Sequence, residues 1–208
     1  ARIGGTDFDQ LLSLEAVMPH LGYRAALREK GLMTPNHWYV DLATWAKINF
    51  LYTPAVLGEV RRLAPKAEQP RLLERLLTVL EEHLGHALAM SVERAKIELS
   101  GSRSFDIDLS RVEPGLEAPA TRGRLAEAIS EPVGRLGALV RECLNQARLR
   151  PDQVDAVFLT GGSTLLPAVR GAILAEVPAA RVVEGDKFGA VGLGLTLDAA
   201  RRYGAMAA

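Results

Sequence analysis

Leucines at positions 72, 73, 76, 77, 80, 84 and 88 recur at helical spacing, with Arg71, Glu74, Arg75 and Glu81 between them. An apolar stripe backed by charge is the pattern of an amphipathic helix. A second helix is expected from about Leu84 through Leu99, stopping near Gly101, whose neighbours Ser100 and Ser102 favour a turn. The period then changes to two: Phe105, Ile107 and Leu109 alternate with Asp106 and Asp108, as in a half-buried strand.

Elsewhere the pattern is more broken. Ile3 leads through Gly4-Gly5 into a helix that Thr6 can cap, with Asp7 and Asp9 in its first turn and Phe8, Leu11, Leu12, Leu14 and Val17 as its apolar positions. Trp38, Tyr39, Trp45, Phe50 and Tyr52 make residues 35–54 aromatic-rich, which predicts a local core. Glu113 to Pro119 is expected to be a loop and the boundary between subdomains. Beyond it, Leu125, Ile129, Leu136, Val140 and Leu144 mark helical surface, with Pro132 in a first turn. Val154 to Thr160 predicts a buried strand, Gly161-Gly162-Ser163 a turn, Leu165 to Val177 a helix, Val182-Val183 a short strand and Gly189 to Tyr203 a last helix. The class this predicts is α/β with a more helical middle portion.

Composition narrows the function. The chain has 208 residues, 48% hydrophobic and 24% charged, the balance of a folded domain. Lys+Arg and Asp+Glu number 25 each, so the basic excess of a nucleic-acid binder is missing. The most apolar stretch, Val154 to Leu174, is interrupted by Asp155, two glycines, Pro167 and Arg170, and predicts no membrane span. Cys143 is the single cysteine, which fits a reducing compartment; its place in an amphipathic helix predicts a buried or half-buried thiol. The opening Ala-Arg-Ile-Gly-Gly, in place of Met, reads as the start of a piece of something longer.

Three constellations carry candidate chemistry. A strand ending in Gly161-Gly162 and running through Ser163, Thr164 and Leu165 to a helix offers bare N–H groups that can take a phosphate; a tight turn for strand–helix packing accounts for it equally well. At about 100° per residue, Glu93, Lys96, Ile97 and Ser100 share one helix face, opposite Leu88, Val92, Ala95 and Leu99. That face carries an acceptor, a cation and a hydroxyl, a set suited to a ribose diol and a base edge; a solvated face with an i,i+3 ion pair is the alternative. Gly189, Gly192 and Gly194 would admit another backbone closely, and Asp186 ahead of them is an N-cap or a ligand contact.

Together these segments resemble the second half of the ATPase domain of DnaK-type heat-shock chaperones, in the actin-like ATPase superfamily. Ile-Gly-Gly-Thr-Asp-Phe-Asp9 is similar to the family's Leu-Gly-Gly-x-Asp-Phe-Asp element. Glu93 to Ser100 is similar to its Glu-Arg-Ala-Lys-x-x-Leu-Ser adenosine helix, Phe158 to Pro167 to its Val-Gly-Gly-Ser-Thr-x-x-Pro loop, and Asp186 to Gly192 to its final Gly-Ala helix. The departure at Trp38 to Thr53 resembles the divergent YegD-like branch, whose members lack the usual peptide-binding domain.

The resemblance implies lobe II of an actin-like, ribonuclease H-like ATPase domain with an incomplete sheet. Residues 1–22 would be a glycine turn and connecting helix, 23–112 a mainly helical α+β, IIB-like subdomain, and 113–208 an α/β, IIA-like one missing its N-terminal strands. By analogy Glu93 and Lys96 hold the ribose, Ser100 the adenine edge, and Gly161, Gly162, Ser163 and Thr164 the α-phosphate side, while Asp186 closes the site. Ile97 and Leu165 stand where the family has arginines flanking the adenine, removing two guanidinium–ring stacks worth roughly 0.5–2 kcal/mol apiece. The ligand implied is ATP or ADP, with magnesium expected only alongside the lobe that would precede Ala1. That lobe would also supply the catalytic carboxylates, so this chain alone is not expected to hydrolyse ATP. Protein clients or nucleotide-exchange partners, a cytoplasmic setting and self-association through an open sheet edge beside Val157–Leu159 complete the expectations. A nucleotide-free interaction module and a sugar-kinase or actin-like relative are the alternatives.

Overall fold

The computed structural model describes residues 3–29, 31–185 and 189–204. Two compact units divide the described residues, one ending at Ser130 and the other beginning at Glu131.

The first unit opens with α1 (Gly5–Leu12), which continues through a π turn (Ser13–Val17) and a 3-10 turn (Met18–Leu21). Gly4, rather than Thr6, is its N-cap: Asp7 reaches back to accept the Gly4 N–H at 2.7 Å, and the Asp7 N–H bonds the Gly4 carbonyl at 3.2 Å. A glycine has no capping side chain, so the third helical residue supplies the carboxylate. Gly22 ends this run at φ 100°; a Cβ there would lie 2.9 Å from Leu73 and 3.0 Å from the Tyr39 hydroxyl, so both the conformation and the space exclude a side chain.

Helices α2 (Asn36–Leu42), α3 (Pro54–Leu63), α4 (Pro70–Glu81) and α5 (Gly85–Gly101) follow. The Thr53 hydroxyl caps α3 by accepting the Val56 N–H, and Pro54 and Pro70 occupy first turns, where a missing N–H costs nothing. Leu73, Leu76, Val79 and Leu80 of α4 are buried, as its stripe predicts. Trp38 and Tyr39 are core residues, whereas Trp45 and Phe50 are exposed, so the aromatic segment is half core and half surface. His83 lies in the turn between α4 and α5, stacked on Tyr52 with ring centroids 4.2 Å apart.

Strands β1 (Ser104–Asp108) and β2 (Glu117–Thr121) form an antiparallel hairpin pairing Ser104 with Thr121 and Asp108 with Glu117. The expected loop at 113–119 is therefore shorter than its composition suggests. Ala118 and Ala120 alternate inward while Pro119 faces out on a strand paired on one side, where a missing N–H is tolerated. Arg71 and Arg75 of α4 both clasp Glu113 in the hairpin loop, at 2.6–3.0 Å. The hairpin thus belongs with the helices before it. α6 (Arg122–Ala128), capped by Thr121, completes the unit, and the division falls at Ser130 and Glu131 instead of near residue 113.

The second unit contains α7 (Ser130–Ala147), β3 (Ala156–Leu159), α8 (Pro167–Glu176), β4 (Arg181–Glu184) and α9 (Ala190–Tyr203). β3 and β4 pair in parallel, Ala156 with Arg181 through Leu159 with Glu184, with α8 as the crossover. Gly137 lets α7 approach α8: a Cβ there would sit 3.3 Å from the Glu176 carboxylate, which pairs with Arg141. Cys143 is exposed, contrary to the buried or half-buried thiol expected, because the apolar face of α7 is only partly covered. At Gly192 and Gly194 a Cβ would meet no described atom within 4 Å, so among the described residues no close backbone contact is made there. Among the described residues no helix is long and apolar enough to cross a membrane.

Candidate functional site

α5 separates its faces as its spacing predicts. Leu88, Val92, Ala95 and Leu99 are buried, while Glu93 and Ile97 are exposed and Lys96 and Ser100 half-buried on the other side. Four candidate residues thus share one accessible surface within two turns.

Lys96 is already engaged. Its ammonium lies 2.8 and 2.9 Å from the two carboxylate oxygens of Asp9 and 3.3 Å from the Gly5 carbonyl, both on α1. An ammonium has three donors; Asp9 Oδ2 and the Gly5 carbonyl accept two of them, which leaves one for a ligand hydroxyl. Burial raises the Asp9 pKa above the usual carboxylate range; the Lys96 ammonium opposes this, and Glu93 nearby adds to it. The lysine therefore fixes α5 against the start of α1 and leaves Glu93 and Ser100 as the outward polar groups. The Ser100 hydroxyl donates to the Lys96 carbonyl at 3.3 Å, keeping its oxygen lone pairs as acceptors.

The sequence places Asp9 in a helix first turn and carries no sign of this pairing. The partners lie 87 positions apart, and no local pattern connects them. The same α1–α5 contact frames a cavity of about 270 Å³ whose lining includes Thr6, Asp9, Ser13, Trp45 and Glu93. Of these, only Glu93 was singled out by its spacing.

The glycine bend belongs to the second unit and differs in detail from its expected form. Gly161 has φ 87°, a conformation that favours glycine, and a Cβ there would meet nothing within 4 Å. Gly162–Leu165 form a 3-10 turn, closed by the Thr164 N–H and hydroxyl, both donating to the Gly161 carbonyl at 3.1 and 2.7 Å. Leu166 is extended, as a residue before proline tends to be, and α8 starts at Pro167 rather than Leu165. Gly161, Gly162 and Ser163 consequently precede the positive end of the helix by a full turn of different geometry. An anion at the bend would meet the N–H groups of that turn rather than a helix terminus. Asp186, the remaining candidate, lies outside the described residues. Among the described residues no three His, Cys, Asp or Glu side chains could together hold a metal ion.

The part of the chain similar to known proteins begins at the end of α4 and runs through α5 to residue 204. A family model described as "Hsp70 protein" matches residues 80–204, more than half of the chain. The Chaperone protein DnaK of Elusimicrobium minutum (strain Pei191) is 30% identical over 96 residues, covering 43% of this chain and 16% of that protein. The chain thus spans a small part of its relative's length. The matched stretch includes Glu93–Ser100 and Gly161–Leu165; the aromatic segment at 38–53 and the Gly4–Asp9 element precede it.

Proposed function

The chain belongs to the Hsp70 protein family, and we propose that it is the nucleotide-binding back lobe of a chaperone-like ATPase, in which binding and hydrolysis of ATP drive closure against a second lobe. In this reading the first unit corresponds to the connecting helix and IIB-like subdomain, taking the hairpin with it, and the second to the IIA-like subdomain. The observation that carries the reading is the exposed Glu93 carboxylate on a helix whose opposite face is wholly buried and whose Lys96 is locked to α1.

Glu93 accepts from the ribose hydroxyls, Ser100 meets the base edge, and Lys96 acts chiefly by holding the helix in place. Gly161, Gly162, Ser163 and Thr164 face the α-phosphate side, where the lack of a Cβ at Gly161 leaves room. Leu165 and Ile97 pack against the base in place of guanidinium groups, and Asp186 closes the site. ATP supplies the phosphoanhydride whose cleavage resets the lobes; the carboxylates and magnesium that cleavage needs are assigned to the other lobe.

Calorimetric titration of ADP into a parent protein carrying both lobes tests this. Saturable binding is expected, weakened about tenfold or more by Glu93→Ala, as loss of a charge-assisted hydrogen bond implies. No heat of binding to the folded parent overturns the reading and favours a nucleotide-free interaction module. Ile97, 57% exposed on the same face, is the observation that supports that second reading. Steady phosphate release by the 208-residue chain alone would refute the division of labour.

The remaining parts of the proposal concern partners and setting. Protein clients and nucleotide-exchange proteins are the partners of such a lobe, a cytoplasmic setting suits its single cysteine, and a YegD-like branch suits the segment at 38–53. Among the described residues β3 pairs only with β4, and Phe158 on it is largely exposed. Such an edge recruits another strand, so the isolated chain should self-associate; a monodisperse monomer in light scattering would count against this.

A further inference from the structure

The cavity between α1, the end of α2 and α5 lies wholly within the first unit. Met18, Leu42, Leu88 and Val92 give it apolar walls, and Trp45, about half exposed, stands in its lining. Its polar groups converge from two helices: Thr6, Asp9 and Ser13 from the α1 run and Glu93 from α5.

Two features separate this space from a packing defect. Ser13 lines the cavity, and its hydroxyl makes no hydrogen bond among the described residues and is open to that space. A helical serine can bond the carbonyl four residues back; this one does not, so its hydroxyl is available to a ligand. The helix also widens at that residue: the π turn starts at Ser13, and such turns occur often at functional sites.

The charge of the lining selects the ligand. Lys96 forms an ion pair with Asp9, so that pair is close to neutral, while Glu93 forms no ion pair among the described residues. The cavity therefore carries about one uncompensated negative charge, hydroxyls that accept hydrogen bonds, and an indole surface that attracts cations. An anionic ligand would meet repulsion from Glu93 with no free cation among the described residues of the lining to offset it. A cavity of about 150 Å³ takes benzene, so this one, at about 270 Å³, has room for a phenyl-sized body with a short chain.

We propose that this cavity binds a small organic cation, an ammonium on an aromatic or branched aliphatic body. The ammonium donates to Glu93 and to the Ser13 and Thr6 hydroxyls, and the body lies against Trp45, Leu42 and Val92. This goes beyond the nucleotide reading and shares only Glu93 with it.

The test titrates 2-phenylethylammonium, to about 10 mM, into the 208-residue chain while following the two indole N–H resonances. The Trp45 signal is expected to shift saturably, and the signal of Trp38, which is buried and outside the cavity lining, to stay. 2-Phenylethanol should bind about tenfold more weakly and 3-phenylpropanoate not saturably. Glu93→Gln, an exposed substitution that leaves the core intact, should weaken the ammonium about tenfold, as removal of one charged partner implies. Trp45→Ala, read by the phenyl proton linewidths of the probe, should abolish its binding while leaving ADP binding to the parent unchanged, which keeps the two proposals separable. Absence of a saturable Trp45 shift in the folded chain, equal binding of the propanoate, or an unchanged affinity in Glu93→Gln would each overturn the assignment.

Discussion

The two units differ sharply in how they cover apolar surface. In the first unit the core is continuous through Phe8, Leu12, Trp38, Tyr39, Ile48, Leu73, Leu76 and Leu99, and every one of the largest fully buried side chains lies there. Among the described residues of the second unit the buried apolar side chains are Pro132, Val133, Leu159, Leu166, Val169 and Val177. The second unit also keeps an apolar cavity of about 510 Å³ between α7, β3 and α8, lined by Leu136, Val140, Leu144, Val157 and Phe158 among others. Leu193, Leu195 and Leu197 of α9 face outward. Its two-stranded sheet is smaller than the three strands or more that usually stand alone. Apolar pattern tells which face of an element wants cover; it does not supply the cover. In the first unit six helices and a hairpin close around each other, while in the second the stripes of α7 and α9 outnumber the surfaces available to them.

The contrast can be broken or sharpened by substitution. The largest effect is expected for Leu76→Ala in the first core, a loss of about 2–5 kcal/mol in urea unfolding, against less than about 1 kcal/mol for Leu139→Ala on α7. Equal losses would show the second unit to be as well packed as the first.

Glycine-to-alanine changes should then differ in sign between the units. At Gly85 a Cβ would lie 2.5 Å from Ile48 and 2.7 Å from the Tyr52 hydroxyl, so Gly85→Ala should destabilise by about 1–3 kcal/mol. At Gly171 in α8 nothing lies within 4 Å, and Gly171→Ala should stabilise by about 0.5–1 kcal/mol, measured as a shift in thermal midpoint.

The smallest effect concerns acid. Hydrogen bonds from Arg75, then Arg71, hold Glu113 down to about 2 in the folded state, below its ordinary 4.5. A carboxylate with a lowered folded pKa stabilises above its unfolded pKa, and that contribution disappears as pH falls through the folded value. Unfolding midpoints of the first unit should therefore decline between about pH 4.5 and 2, and Glu113→Gln should flatten that decline. The second unit, followed by Phe158 side-chain signals, should show no change with Glu113→Gln.

Much of the architecture was legible beforehand. The leucine stripe of α4, the buried and exposed faces of α5, the alternation in β1 and the strand–turn–helix order around Gly161 all followed from periodicity, because a helix or strand repeats its neighbours' geometry over a few residues. What misled was local chemistry with more than one outcome. Glu117-Ala-Pro-Ala120 has the composition of a loop, yet two small residues facing inward make it a strand. Thr6 looks like a cap, yet Gly4 takes that place with Asp7 answering it. Leu165 looks like a helix start, yet Thr164 folds back on Gly161 and delays the helix to Pro167.

The residues of α5 alone thus determined that Glu93, Lys96, Ile97 and Ser100 would share a face, since 3.6 residues per turn leaves no choice. Only the tertiary structure decided that Lys96 would spend its ammonium on Asp9, that Ser13 and Trp45 would join Glu93 around one cavity, and that the apolar stripe of α7 would stay half uncovered. Those outcomes depend on contacts between segments tens of residues apart, and such contacts are set by how whole elements pack rather than by any spacing within one of them.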